Sequence, residues 1–206
     1  MAYRSPGNSF QKTTPIVLNL IIINVLVFLL QLFLDGDDYR ITENLVLFPY
    51  NSGLFKPYQL VTCMFAHGSI MHILFNMFTL YTFGVWLERV WGPKKFLIFY
   101  LVCGLAAGIA QMLLVKDAPS LGASGAIMGV FAAFAYLFPN TELMMFFIPV
   151  PIKAKYMVFI MAGIDLFGGF HPGGTDNIGH FAHLGGLVMG FILVLIWNKT
   201  NRKTFY

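Results

Sequence analysis

Charge is what this 206-residue chain has least of, with 13 Lys and Arg and 9 Asp and Glu making up only 11% of it. A soluble domain carries about 25% charged residues. Here 58% of residues are hydrophobic and the mean hydropathy is +0.73, which excludes a soluble globular class and implies an integral membrane protein. Cysteine is equally scarce. Cys63 and Cys103, at a loop end and in a helix interior, show no metal-type spacing and no sign of a disulfide framework. They read as buried small apolar residues, and no metal or cofactor is expected. The first apolar segment lacks a small-residue cleavage site, so it reads as a retained helix rather than a signal peptide. Also missing are an internal repeat, a low-complexity tract, a second domain and a polar path to the midplane. The last absence excludes a small transporter.

What is present is a series of apolar runs. A spanning helix needs roughly 20 mostly apolar residues, and six segments qualify: 16–34, 69–88, 95–115, 122–138, 155–169 and 178–197. The expected fold is therefore all-α, a polytopic six-helix bundle over residues 15–198. A polar cytoplasmic lead (1–14, with Ser5-Pro6-Gly7-Asn8) precedes it, and a short cytoplasmic tail (199–206) follows. With the N-terminus inside, the inner segments hold Arg4, Lys12, Arg89, Lys94, Lys95, Lys153, Lys155, Lys199, Arg202 and Lys203. The outer segments hold only Arg40, Lys56 and Lys116. That ten-to-three bias matches the positive-inside rule and places both termini in the cytoplasm. The net charge of +4 thus reports topology, and the expected surroundings are a lipid bilayer with no nucleic-acid partner. The longest connection, 35–68, opens with Asp35-Gly36-Asp37-Asp38 and becomes aromatic and apolar. It is expected to lie in the outer interface, with Pro49 and Pro57 opposing one continuous helix.

Small residues mark which helices should touch. Gly125, Gly129, Ala132 and Ala133 form one face of the fourth segment, and Gly179, His183, Gly186 and Gly190 form one face of the sixth. Faces without side-chain bulk let membrane helices approach to backbone contact, so these two helices are expected to be neighbours.

On the same topology, segments two, four and six all run from the outer face inward. His72, Asn76, Ser124 and His183 then fall within about 3 to 11 Å of the outer helix ends at 1.5 Å per residue. Taken singly, a membrane serine commonly bonds a carbonyl one turn back, and a histidine can simply be packed. Four polar groups from three helices in one layer point instead to a site. A serine hydroxyl becomes nucleophilic when an adjacent base takes its proton, and His183 is the candidate base for Ser124. Asn76, His72 and the Ser124 N–H are suitable in kind to stabilise an oxyanion. The glycines beside the serine, Gly122 and Gly125, allow close approach of a substrate backbone. Asp165, the one acidic residue deep within a predicted span, can reach this layer as a third group orienting the base. The run Asp165-Leu166-Phe167-Gly168-Gly169 also reads as a helix exit with an interfacial carboxylate. His67 reads as an interfacial residue at the loop junction.

At these residues the chain resembles the rhomboid family of intramembrane serine proteases. Gly122-Ala123-Ser124-Gly125 is similar to its GxSG motif, and Ala182-His183-Leu184-Gly185-Gly186 with Gly190 to its histidine motif. His67 through Asn76 is similar to its HxxxxHxxxN segment. The resemblance covers essentially the whole chain and implies a six-helix catalytic core. It implies Ser124 as nucleophile, His183 as general base and acid, His72 and Asn76 as oxyanion stabilisers, Gly122 at a substrate-contacting edge, and a dyad without a carboxylate. Substrates would be transmembrane proteins cut near the outer surface, in what is expected to be a bacterial plasma membrane. The rival reading is a proteolytically silent relative that binds transmembrane helices; such relatives generally lack part of the dyad. Three positions depart from the pattern. Met128 stands where an aromatic ring often packs on the histidine, Tyr58-Gln59 where Trp-Arg is frequent, and Arg89 falls one place early in Glu88-Arg89-Val90-Trp91-Gly92.

Overall fold

The computed structural model describes residues 14–35, 40–145, 148–170 and 178–200. The expected lead at 1–13, the acidic turn at 36–39 and the tail from 201 onward lie outside the described residues. The order is α1 (Pro15–Leu34), α2 (Arg40–Leu45), α3 (Gln59–Thr62) with a 3-10 turn at Cys63–Phe65, α4 (Ile70–Trp91), α5 (Pro93–Leu114), α6 (Ser124–Leu137), β1 (Glu142–Met145), β2 (Ile148–Lys153), α7 (Ala154–Phe170) and α8 (His180–Thr200).

Among the described residues four helices, Pro15–Leu34, Ile70–Trp91, Pro93–Leu114 and His180–Asn198, are long and apolar enough to cross a membrane. Their outward faces are apolar, as Ile22, Leu26, Phe33, Phe78 and Phe191 show. The chain is an integral membrane protein. The other two expected spans, α6 with 14 residues and α7 with 17, are shorter. At 1.5 Å per residue α6 is about 21 Å long, below the roughly 30 Å hydrocarbon thickness. It stands inside the bundle, packed against α4, α5, α7 and α8. From Gly125 to Ala135 every residue but Met128 is buried.

Glycine makes that burial possible. A Cβ on Gly186 would fall on the Gly125 carbonyl oxygen, and a Cβ on Gly190 on the Gly129 oxygen. One on Gly129 would lie 2.6 Å from Cys103 Sγ and 2.9 Å from the Gly186 oxygen. The contacts climb both helices together, so α6 and α8 run parallel with their backbones touching, as the small-residue faces predicted.

The end of the bundle away from Ser124 is closed by aromatic rings. Trp91 lies 4.8 Å from Phe99 and 5.3 Å from Trp197, and Lys95 Nζ sits 4.5 Å over Trp197. Here α4 turns directly into α5, because Gly92 adopts φ +82° and Pro93 starts the next helix without needing an N–H. One turn earlier, the fully buried Glu88 accepts from the N–H groups of Ile16 (2.9 Å) and Val17 (2.8 Å). The first turn of α1 gets no side-chain bond from its own cap, Thr14. A carboxylate borrowed from α4 supplies the missing acceptor and complements the helix dipole.

One feature among the described residues departs from the all-α expectation. The segment between α6 and α7 forms an antiparallel hairpin, pairing Glu142 with Lys153, Leu143 with Ile152 and Met145 with Ile148. Both strands are edges, which is why Pro149 and Pro151 are tolerated. The long connection holds two short helices, on either side of Pro49 and Pro57, and is tied to the rest by polar side chains. Gln59 Oε1 accepts from Lys56 N–H (3.0 Å), Gln59 Nε2 donates to the Leu54 carbonyl (3.3 Å), and the Thr62 hydroxyl donates to the Leu45 carbonyl (2.9 Å). Gln59 thus anchors the loop at a position where the family pattern frequently has arginine.

Glu88→Ala is expected to lower stability by about 1–3 kcal/mol, since two helix N–H groups lose their acceptor. Thermal unfolding in detergent measures this. Glu88→Gln, which keeps an acceptor oxygen, should lose less, and an unchanged melting temperature in Glu88→Ala would contradict the capping role.

Candidate active site

Ser124 is the first residue of α6, and the chain reaches it through a constrained approach. Gly122 adopts φ +120°, a conformation that residues with a Cβ rarely take. Its N–H donates to the Cys63 carbonyl at 2.8 Å, and two residues earlier Ser120 and Leu47 exchange backbone bonds of 2.8 and 2.9 Å. The nucleophile candidate is therefore fixed from outside by the long connection and from inside by the α6–α8 contact. A Cβ at Gly122 would lie 2.8 Å from His72 Cε1 and Nε2 and 3.8 Å from Asn76 Nδ2. The expected backbone edge, His72 and Asn76 thus meet at one point.

His183 is the fourth residue of α8. The first turn of α8 is held to α5 by Gln111, whose Oε1 accepts from the Ala182 N–H at 3.1 Å. His183 Nε2 lies 2.8 Å from Ser124 Oγ, and Nδ1 lies 2.9 Å from Asp165 Oδ1. Nδ1 thus faces a carboxylate oxygen and Nε2 faces the serine hydroxyl, so the nitrogen that carries the ring proton decides whether Nε2 can receive the serine's.

His72 and Asn76 lie one turn apart on α4, as their spacing predicted. Ser69 caps α4 by accepting from the His72 N–H at 3.2 Å. The Gly68 N–H points to His72 Nδ1 at 3.5 Å, which leaves the ring proton on the Nε2 side nearest Gly122. Asn76 is buried, and its Nδ2 has no hydrogen-bond partner among the described residues. An amide donor left in that state is costly until an acceptor arrives. His72, Asn76, Ser124 and His183 all line one crevice of about 1690 Å³, which also has Ile160 and Ile164 of α7 on its wall.

Asp165 and His67 require correction. The resemblance implied a dyad without a carboxylate, but Asp165 lies against His183, and its carboxylate is not interfacial. It is 5% exposed and contacts both His183 and His180, because α7 turns this residue toward α8 while Phe159 and Phe170 face outward. His67 is also buried, at 2% exposure, with its ring edge-on to His72 at 5.0 Å. Burial first, and then the neighbouring His72, lowers the His67 pKa from 6.5 to about 4. Cys63 borders the crevice, but burial pushes its thiol up to about 12, so it is no competing nucleophile. Cys63 and Cys103 are both free and buried, as read from the sequence. Met128, one turn beyond Ser124, is half-buried. Among the described residues no group of three or more His, Cys, Asp or Glu side chains is placed to hold a metal ion. His180 and Gln111 were not singled out from sequence. The His180-x-x-His183 spacing was a signal for the first, and nothing local marked the second.

Fold and site define a helical membrane protein in which a serine and a histidine from two parallel helices are hydrogen-bonded inside a crevice. The family model described as the Rhomboid domain matches residues 55–199, and the chain belongs to the rhomboid family. It is 34% identical over 147 residues to RHOMBOID-like protein 6, mitochondrial, of Arabidopsis thaliana, covering 68% of this chain and 44% of that protein. It is 32% identical over 151 residues to Rhomboid protein 1, mitochondrial, of Saccharomyces cerevisiae, covering 70% and 43%. With Rhomboid protease GluP of Bacillus subtilis it shares 35% over 134 residues, covering 65% and 25%. The chain spans less than half the length of each of these three relatives.

Unfolded His67 binds a proton below about 6.5, whereas folded His67 stays neutral down to about 4. Stability contributed at this position is therefore lost as pH falls from 6.5 towards 4. His67→Phe carries no titrating ring, so its melting temperature should fall less between pH 7 and pH 4.5 than that of the wild type. An identical pH dependence in both proteins would contradict the assignment.

Proposed function

We infer that this chain is an intramembrane serine endopeptidase in which Ser124 is the nucleophile and His183 the general base and acid. The observation that carries this reading is the 2.8 Å contact between His183 Nε2 and Ser124 Oγ, in a crevice that also holds an unpartnered amide donor on Asn76. Ser124 Oγ attacks the carbonyl carbon of a substrate peptide bond while its proton passes to His183 Nε2. The carbonyl oxygen becomes an oxyanion within reach of Asn76 Nδ2, His72 and the Ser124 N–H, which lies in the first turn of α6 where no helical acceptor exists. Collapse of the intermediate breaks the C–N bond, and His183 returns the proton to the leaving amine. Water, deprotonated by His183, then hydrolyses the acyl-serine. Gly122 supplies a backbone edge against which the substrate strand lies.

The substrates are transmembrane proteins. The site is reached within the bundle, and the helix faces around it are apolar and suited to lipid rather than water. The two shorter helices, α6 and α7, complete a six-helix core, and the hairpin with Lys153 lies on the cytoplasmic side, together with Lys155 at the start of α7 and both termini. The aromatic cluster with Lys95 marks that same inner interface. Cleavage then takes place near the outer surface of what we read as a bacterial plasma membrane.

Detergent-purified protein treated with a fluorophosphonate is expected to be labelled in the wild type and unlabelled in Ser124→Ala and His183→Ala, with all three folded. Labelling of Ser124→Ala at the wild-type rate would overturn the nucleophile assignment. A folded but unlabelled wild type would turn the reading to a silent helix-binding protein.

A further inference from the structure

One carboxylate oxygen in the bundle does two jobs. Asp165 Oδ1 lies 2.9 Å from His183 Nδ1 and 2.9 Å from His180 Nδ1, and the Asp165 side chain is only 7% exposed. His180 and His183 are three residues apart on α8 and share a face. Gly168, one turn beyond Asp165 on α7, leaves the room His180 occupies, since a Cβ there would be 2.5 Å from His180 Cε1 and 2.8 Å from Cδ2. Around Asp165 the α7 surface is apolar, with Ile164, Leu166 and Phe167 all exposed and Ile164 and Phe167 bordering the crevice. A buried carboxylate on such a helix is costly unless it is hydrogen-bonded. Its position is explained by the two imidazoles it holds.

We propose that Asp165 is a positioning residue for the base: it accepts from His183 Nδ1–H, fixing the tautomer and ring orientation that aim Nε2 at Ser124, while His180 holds the carboxylate in place. The proposal rests on the protease reading of the same site. An imidazole on a Cβ can rotate about two torsions, and contact with a hydroxyl alone does not select which nitrogen carries the proton. Asp165 selects it. When Ser124 gives its proton to Nε2, Nδ1 keeps its own and donates to Oδ1, so the doubly protonated ring is stabilised without the proton moving to Asp165. The arrangement also makes the base depend on α7, since the ring is aligned only while that helix is docked on α8.

The test compares wild type, Asp165→Ala and Asp165→Asn in detergent. Active serines are counted with a fluorophosphonate, and kcat and KM are then measured per titrated serine on a fluorogenic transmembrane peptide. With Asp165→Ala, kcat per serine is expected to fall on the order of 100-fold with KM nearly unchanged, because general-base efficiency is lost rather than substrate affinity. Asp165→Asn keeps the shape, but its amide NH2 can donate to Nδ1 and select the wrong tautomer, so kcat per serine is expected to fall at least as far. If Asp165→Ala fails to fold, Asp165→Asn decides. An unchanged kcat per titrated serine, with activity lost only through fewer active molecules, would assign Asp165 a purely structural role and overturn the proposal. Nitrogen NMR of 15N-histidine protein, with His183 identified by difference against His183→Ala, gives a second readout. The wild type should show the His183 proton on Nδ1, and Asp165→Ala should move it to Nε2. A wild-type proton on Nε2 overturns the proposal whether or not the protein cleaves. A wild type that neither labels nor cleaves overturns the protease reading, and with it the base that Asp165 would position.

Discussion

The contact on which the rest depends is between backbones: Gly186 and Gly190 of α8 lie against the carbonyls of Gly125 and Gly129 of α6, leaving no room for a Cβ. In lipid there is no hydrophobic drive to push two apolar helices together, so association relies on close van der Waals packing and on hydrogen bonds. Glycine supplies the first of these. The helix axes come near enough that a short serine side chain on one and an imidazole on the other meet at 2.8 Å. Side chains of ordinary size along this seam would separate Ser124 from His183 and leave two isolated polar groups in an apolar bundle.

Among the described residues most buried polar side chains lie at the end of the bundle where the seam opens. Gln111 fixes the first turn of α8, the Gly122 to Cys63 bond fixes the approach to α6, and the Leu47 to Ser120 pair joins the long connection to that approach. Each of these satisfies a backbone group that is otherwise orphaned near a helix terminus or in a loop. The opposite end is closed by rings and by Glu88, which caps α1 from α4. One end is built for stability and the other is left with an unpartnered donor, Asn76 Nδ2, in an open crevice. A donor kept waiting for an acceptor fits stabilisation of charge that appears only during a reaction.

The helices were legible because their apolar runs are long. The expected segments at 16–34, 69–88, 95–115, 122–138, 155–169 and 178–197 agree with α1, α4, α5, α6, α7 and α8 to within three residues at each end, and the glycine spacing foretold the α6–α8 contact. The hairpin was not legible, since the two prolines in Ile148-Pro149-Val150-Pro151 argue against a strand despite the alternating β-branched residues. Nor was the span count settled by hydropathy, because α6 is apolar through burial in protein as much as through contact with lipid. Among the polar residues, those on one helix face, such as His72 with Asn76, could be grouped from spacing alone. Asp165 could not, because whether it meets water or histidine depends on how α7 is rotated against α8, a tertiary fact that no local pattern encodes. Gln59 is similar: its fork to the loop backbone forms only after the loop has folded around it.

The depth at which a substrate is cut tests the central claim most directly. The purified chain is placed in liposomes with a single-span protein, and the new termini of both fragments are read by mass spectrometry. Ser124 opens α6, and His183 lies in the first turns of α8, so cleavage is expected within about seven residues of one end of the substrate's apolar segment, at 1.5 Å per residue. That end should be the one facing away from the side of the termini, and the cut should be absent with Ser124→Ala. Fragments ending at the middle of the span or inside a water-exposed domain would contradict a site held at this depth by the α6–α8 seam.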